Sequence, residues 1–297
     1  LQKQFEGIGI AIQQKPEGFV ISRILEESPA EKNGTIQPGD LLIQVDGQKT
    51  EEFSFSRLME ILHDPKREEV SLTLKHPSSG KAAEKLYTVS LQRQEITLQE
   101  GRVSVESRPF GDGILGHITL DSFYQGESVS AEQDIRKALQ ELQKKGAIRG
   151  LILDIRNNSG GFLSQAVKVA GLFITNGVIV ISKYADGREK IYRDVDSNRL
   201  YDGPLLVLTS KITASAAEIL ALALQDYGVA LIVGDDHTYG KGTIQMQTVT
   251  DSGSANYFKV TAGTYYGVGG TSPQLTGVKA DMIVPGPWSR EEVGEVF

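Results

Sequence analysis

Along the first hundred residues, apolar and polar positions alternate over short runs separated by turn residues, the pattern of half-buried β-strands. The runs are Gly7 to Gln13, Gly18 to Ile24, Asp40 to Val45, Val70 to Leu74 and Leu86 to Leu91. Two helices interrupt them. Ser28-Pro29-Ala30-Glu31-Lys32-Asn33-Gly34 has a capping Ser, Pro in the first turn and Asn-Gly at its end. Phe53 to His63 carries a stripe of Phe55, Leu58, Met59 and Leu62 and is stopped by Asp64-Pro65. From about Gly101 the segments lengthen into strand, helix, strand. Ser130 and Gln133 form a capping box, Ile135, Ala138, Leu139 and Leu142 share one helical face, and Gly146 ends it. The near-continuous apolar run Leu151 to Ile155 suits a strand covered on both faces. The unit recurs as Leu205 to Thr209, a helix from about Ser215 to Tyr227, and Ala230 to Gly234, while Ile179 to Tyr192 reads as a hairpin through Asp186-Gly187. The pattern predicts a small, mostly β domain over 1–98 and a mixed α/β domain over 99–297. No solenoid repeat or low-complexity segment interrupts it.

Composition removes several function classes. The chain has 297 residues, 39% of them hydrophobic and 23% charged, an ordinary globular balance with room for two domains. No window holds the ~18 apolar residues that a helical membrane span needs. A net charge of −7 without a basic stripe offers no source of phosphate neutralisation, so nucleic acid is not an expected partner. The absence of cysteine excludes disulfides, thiolate metal sites and a cysteine nucleophile. The chain opens at Leu1 rather than Met, which favours a mature exported protein or a piece of a longer one.

Candidate chemistry concentrates in three places. Asn157-Asn158-Ser159-Gly160-Gly161 leaves a buried strand and leads into a helix over Ser164 to Phe173; such a double glycine can aim backbone N–H groups at a developing oxyanion. Thr213-Ala214-Ser215-Ala216-Ala217-Glu218-Ile219 puts a serine at a helix start. Tyr239-Gly240-Lys241-Gly242-Thr243-Ile244-Gln245 puts a lysine in a glycine-flanked turn, 26 residues after that serine. Serine needs a base to take its proton, and lysine serves only when its charged form is disfavoured, as by burial. Each residue alone has a plainer role: Ser215 as a helix cap, Lys241 as a surface lysine, Gln245 as a solvated strand residue. Glu218, in the first helical turn, suits the helix dipole. His237 lies only four residues before Lys241, and Asp154 or Asp226 could complete a triad by residue type, but an acidic loop makes a solvated histidine the better reading. His63, His76 and His117 show no spacing for metal or acid–base work, and no metal site is expected.

The strand and helix order of the first domain, with its turn Gln37-Pro38-Gly39-Asp40, resembles a PDZ domain. Gly7, Ile8, Gly9 and Ile10 then fall at the carboxylate-binding loop, where successive N–H groups meet one anion and the following strand edge pairs with a peptide. Phe53 and Phe55 would make the side-chain pocket apolar, which implies partners with free, apolar C-termini. Taken together, the Gly-Gly turn, the helix-opening serine and the turn lysine resemble the C-terminal processing peptidases, also called tail-specific proteases, a Ser/Lys family with an embedded PDZ domain. The likeness spans nearly the whole chain and is most specific over 154–161, 213–226 and 238–245. The segment 270–285 most resembles the longer tail-specific branch.

The resemblance implies a serine endopeptidase with crotonase-like ββα layering in its catalytic part. Its nucleophile falls on Ser215, its general base on Lys241, and the glutamine orienting that lysine on Gln245. The oxyanion donors fall on the N–H of Ala216 and of Gly160 or Gly161. No cofactor is implied. Ala217 stands where relatives often have a second serine, and the turn Asp235-Asp236-His237 is one residue longer than usual. An exported location in the bacterial periplasm or cell envelope, or a plastid lumen, also follows from the resemblance, and a homo-oligomer is left open. The competing reading is a catalytically silent PDZ-containing binding or scaffold protein of the same fold.

Overall fold

A computed structural model describes residues 4–64, 66–76, 86–97, 101–196, 198–249 and 257–296. The chain divides into two compact units, residues 2–100 and 101–297. The expected boundary at 98/99 and the stop residue Pro65 lie outside the described residues.

The smaller unit contains β1 (Gln4–Gly7), β2 (Ile10–Lys15), β3 (Gly18–Ile24), α1 (Pro29–Asn33), β4 (Leu41–Val45), β5 (Gln48–Lys49), α2 (Phe55–His63), β6 (Glu69–Lys75), β7 (Leu86–Gln92) and β8 (Gln94–Thr97). Its antiparallel sheet runs β2-β3-β4-β6-β7, with β5 on β4, and β1 pairs with β8 alone. The single strand expected over Gly7 to Gln13 is thus two strands in two sheets. The break has a steric cause. Gly9 has φ +81°, and a Cβ there would lie 2.0 Å from that of Ser28, so the chain can turn beside α1 only with glycine. The N–H of Ala30 donates to the Ile8 carbonyl at 3.0 Å and that of Leu25 to Gly9 at 2.9 Å, which locks the turn. Among the described residues, strand β2 keeps one edge unpaired in this sheet. The core holds Leu58, Ile61 and Leu62 of α2, whereas Met59 is half-buried and Phe55 is exposed and lies 6.3 Å from the Phe19 ring. The stripe therefore runs through Ile61, because one sheet beneath a short helix covers a narrower face than the sequence offered.

The larger unit contains β9 (Ser104–Phe110), β10 (Gly113–Thr119), α3 (Ala131–Lys145), β11 (Ile148–Asp154), α4 (Leu163–Ala170), β12 (Gly177–Tyr184), β13 (Glu189–Asp194), β14 (Leu205–Thr209), α5 (Ala216–Asp226), β15 (Leu231–Gly234), β16 (Thr243–Val249), β17 (Tyr257–Tyr266) and β18 (Met282–Ile283). One sheet runs β18-β15-β14-β11-β10-β9, parallel except for β9 on β10. A second, antiparallel sheet runs β13-β12-β17-β16. Helix α3 follows its pattern: Ser130 caps it, Glu132 and Asp134 open it, Lys144 and Lys145 close it, and the predicted face is buried. Helix α4 ends at Ala170, three residues earlier than read from the sequence, with Leu172 and Phe173 buried in the turn that follows. Helix α5 is buried all round from Ala216 to Leu224. Truncating Leu220 or Leu224 to Ala would cost about 2–5 kcal/mol, so α5 is a fixed post for whatever its N-terminus carries. No described helix is long and apolar enough to cross a membrane.

Candidate active site

Parallel pairing decides where the site forms. Asp154 of β11 pairs with Leu208 of β14, and Thr209 of β14 with Gly234 of β15, so the loops following all three strands leave the same sheet edge. These loops carry the Gly-Gly turn, Ser215 and Lys241. The strand register thus brings together residues up to 81 apart in sequence, from Gly160 to Lys241.

Ser215 sits at the N-cap of α5 with φ 57° and ψ −118°, a sparsely populated conformation for a non-glycine residue that costs about 1–3 kcal/mol. Surrounding bonds hold it there. Its N–H donates to Glu218 Oε2 at 2.8 Å, and its carbonyl accepts from Ile219 N–H at 3.0 Å and from the hydroxyl of buried Tyr265 at 3.0 Å. The preceding residues are tied to the segment that follows β11: Thr213 Oγ1 donates to the Ile155 carbonyl at 2.9 Å, and Ala214 N–H donates to the Asn158 carbonyl at 3.1 Å.

The Gly-Gly turn is organised by Asn158, which is fully buried. Its Nδ2 donates to the Leu120 carbonyl at 2.9 Å, and its Oδ1 accepts the Gly160 N–H at 2.9 Å. The Gly160 donor expected from the sequence is therefore committed to Asn158. Among the described residues, the N–H groups of Gly161 and Ala216 carry no hydrogen bond within the chain, and both residues line the cavity beside Ser215. Gly160 contributes closeness instead. At φ +108°, a Cβ on it would stand 2.9 Å from the Ala214 oxygen and from Ser215 Cβ, so only glycine lets the turn approach the serine.

Glu218 joins the serine to the lysine loop. Its side chain is wholly buried and accepts four hydrogen bonds: from Ser215 N–H, from Thr238 Oγ1 at 2.5 Å, from Gly240 N–H at 2.7 Å and from Lys241 N–H at 2.9 Å. Burial pushes its pKa up, against the four bonds that favour the anion. The loop is pinned further by Tyr239 N–H on the Thr213 carbonyl and Thr238 N–H on that of Val278. From Thr238 to Lys241 every backbone N–H has a partner, so the longer turn does not leave this stretch loose. Tyr265 shares its one hydroxyl proton between the Ser215 and Lys241 carbonyls, and burial raises its hydroxyl pKa well above the usual value.

Ser215, Lys241 and Gln245 line one cavity of about 560 Å³ with Phe162, Leu163, Ile219 and Ile244. Lys241 is half-buried, and its Nζ donates to Gln245 Oε1 at 3.4 Å, a long bond on an exposed side chain. Among the described residues no hydrogen bond joins Lys241 Nζ to Ser215 Oγ. His237 does not line the cavity; its Nδ1 lies 2.7 Å from the Thr238 carbonyl. Asp226 accepts from Gly269 N–H at 3.0 Å, and Asp154 is paired with Arg156 at 2.6 Å, so neither completes a triad with His237. His76 lies 2.5 Å from buried Asp40, and His117 lies 3.5 Å from Asp154, partnerships that sequence spacing did not reveal. Gly7, Ile8, Gly9 and Ile10 lie in the smaller unit at the junction of β1 and β2, with Ile8 buried in that unit's core.

Glu218 and Asn158 are the residues that sequence reasoning undervalued. The Ser-x-x-Glu spacing signalled only the bond from Glu218 to Ser215; the other three come from a loop more than 19 residues away.

The sequence pattern of the family described as Peptidase family S41 matches residues 114–284, and that of the PDZ domain matches residues 1–75. The tail-specific protease of Haemophilus influenzae is 32% identical over 302 residues, covering 98% of this chain and 42% of that protein. The carboxyl-terminal-processing protease of Picosynechococcus sp. is 36% identical over 244 residues, covering 82% of this chain and 56% of that protein. The chain thus spans about half the length of these curated relatives. Among solved structures, the photosystem II D1 C-terminal processing protease superposes with a TM-score of 0.54 at 29% identity, over 96% of this chain and 73% of that one. With its loops gathered around Ser215 and a PDZ domain preceding them, this chain belongs to peptidase family S41, among the C-terminal processing and tail-specific proteases.

Proposed function

We propose that the chain is a serine endopeptidase that recognises a free, apolar protein C-terminus on its PDZ domain and cleaves through Ser215 with Lys241 as general base. The observation that carries this reading is the Glu218 carboxylate, which accepts from the backbone of both Ser215 and Lys241 and so holds the nucleophile and the base at one cavity. In the proposed reaction neutral Lys241 takes the Ser215 proton as Oγ attacks the scissile carbonyl. The N–H groups of Gly161 and Ala216 meet the developing oxyanion, each contributing about 3 kcal/mol. The protonated lysine then passes its proton to the leaving amine, and water activated by the same lysine hydrolyses the acyl-enzyme. Gln245 holds Lys241 between turnovers, and reaction requires the amine end to swing from Gln245 toward Ser215. On the smaller unit, the unpaired edge of β2 and the Gly7-Ile8-Gly9-Ile10 turn are the elements that would add a peptide strand and receive its carboxylate. The same family likeness supports an exported, envelope-facing location.

Incubation of the full chain with an unfolded protein ending in apolar residues, followed on a gel, tests the proposal. Cleavage by the natural sequence and its loss in both Ser215→Ala and Lys241→Arg is the expected outcome, because arginine stays protonated. Cleavage by Ser215→Ala at the natural rate would refute the assignment. Intact substrate in every lane would favour the silent binding protein.

A further inference from the structure

Among the described residues, the cavity that holds Ser215 is lined by two charged side chains, Lys241 and Lys259, and by no Asp or Glu. This runs against the molecule, whose net charge is −7. The mechanism uses Lys241 and leaves Lys259 unexplained. Strand register places it: on β16 and β17 Gln245 opposes Thr261, and Gln247 opposes Lys259. Side chains alternate across a strand, so Lys259 shares a face with Thr261 and Gln245, and the intervening pair Met246 and Val260 faces away with both side chains exposed. Lys259 is diagonal to Gln245, which puts their Cα atoms about 7–8 Å apart. An extended peptide advances about 3.3 Å per residue, so an ammonium there meets substrate about two residues from the group that faces Gln245, on whose Oε1 the Lys241 Nζ rests. Lys259 is exposed, and it has no ion pair among the described residues.

We propose that Lys259 is a specificity-determining residue that reads a carboxylate on the substrate about two residues from the scissile bond, an inference that rests on the peptidase reading above. The carboxylate is either an acidic side chain or the free end of the chain being trimmed. Both present the same anion to one ammonium group, in a cavity whose other charged lining residue among the described ones, Lys241, is also a lysine.

The test is a set of quenched-fluorescence peptides built on one cleaved apolar sequence. Glu or Gln is placed at each position in turn, and every peptide is made with a free and an amidated C-terminus. For the full chain and for Lys259→Met and Lys259→Glu, the readout is the ratio of kcat/KM for the Glu and Gln members of each pair, so a general loss of activity cancels. The natural sequence should favour Glu by about two- to fivefold at one position, the range of a solvent-exposed ion pair, with the preference shrinking at high salt. Lys259→Met should abolish the preference and Lys259→Glu should reverse it. A preference that follows amidation rather than the Glu scan, and vanishes in the same variants, identifies the chain end as the source. Equal ratios in all three proteins overturn the proposal. Ser215→Ala separates the two readings: if it still cleaves, the serine assignment fails, while a Lys259-dependent ratio would still stand.

Discussion

Replacing Glu218 with Ala removes a single acceptor that four donors share, at distances of 2.5 to 2.9 Å. Hydrogen bonds to a charged group contribute about 1.5–3 kcal/mol each, but the four share one side chain and do not add. Burial of the carboxylate opposes them, as its raised pKa records. Breaking a buried charged network by removing one partner costs about 3–5 kcal/mol, and the stranded N–H groups of Ser215, Gly240 and Lys241 lie where water enters poorly. For a unit of this size, about 2–4 °C of melting temperature accompanies each kcal/mol, so a fall of roughly 10 °C is expected. Activity should fall further than stability. The Lys241 loop would lose its ties through Glu218 and keep only those from Tyr239 N–H to Thr213 and through the Tyr265 hydroxyl, and a misplacement of about 1 Å can cost on the order of a hundredfold. Melting followed by circular dichroism, with kcat/KM measured well below the lower midpoint, gives both quantities. Glu218→Gln keeps the size but turns an amide NH2 toward backbone donors, so it should behave more like Ala than like Glu. A Glu218→Ala protein that melts within about 2 °C of the natural one and keeps kcat/KM within threefold would refute the bridging role.

The same carboxylate predicts a pH dependence of stability. Its folded pKa lies above the ordinary 4.5, so the folded state holds the proton more tightly than the unfolded state. Stability conferred by that proton is present below pH 4.5 and is lost as pH rises through the folded value, at about 1.4 kcal/mol for each tenfold difference in proton affinity. The melting temperature of the natural sequence minus that of Glu218→Gln should therefore fall as pH is raised from 4.5 and then level off; a flat difference would contradict it. In the smaller unit, Gly9→Ala would set a Cβ 2.0 Å from that of Ser28 in a backbone conformation unsuited to alanine, a cost of about 1–3 kcal/mol. The full chain carrying it should lose anisotropy-detected binding of a peptide with a free apolar C-terminus, and unchanged affinity would remove this turn from peptide recognition.

Local periodicity was sufficient wherever one element met one surface. The α3 face of Ile135, Ala138, Leu139 and Leu142 and the hairpin through Asp186-Gly187 are found as their patterns predict. It failed where two elements compete for the same residues. The strand expected from Gly7 to Gln13 breaks because α1 occupies the space a Gly9 side chain would need, and the α2 stripe shifts to Ile61 because the sheet beneath selects one side of the helix.

The site divides along the same line. Residue types and short spacings were enough to single out Ser215, Lys241 and the glycine turn, since a helix-opening serine, a turn lysine and a Gly-Gly bend are local chemical signatures, while Gln245 came from the family resemblance. Which N–H groups remain available for an oxyanion, and what joins the serine to the lysine, could not be read there. Asn158 takes the Gly160 N–H and Glu218 takes those of Ser215, Gly240 and Lys241. A residue's sequence neighbours limit its backbone conformation, but the partners of a buried polar atom are chosen by which strands pair. Here the parallel register of β11, β14 and β15 brought three distant loops to one edge and made a helix-capping glutamate the link between them.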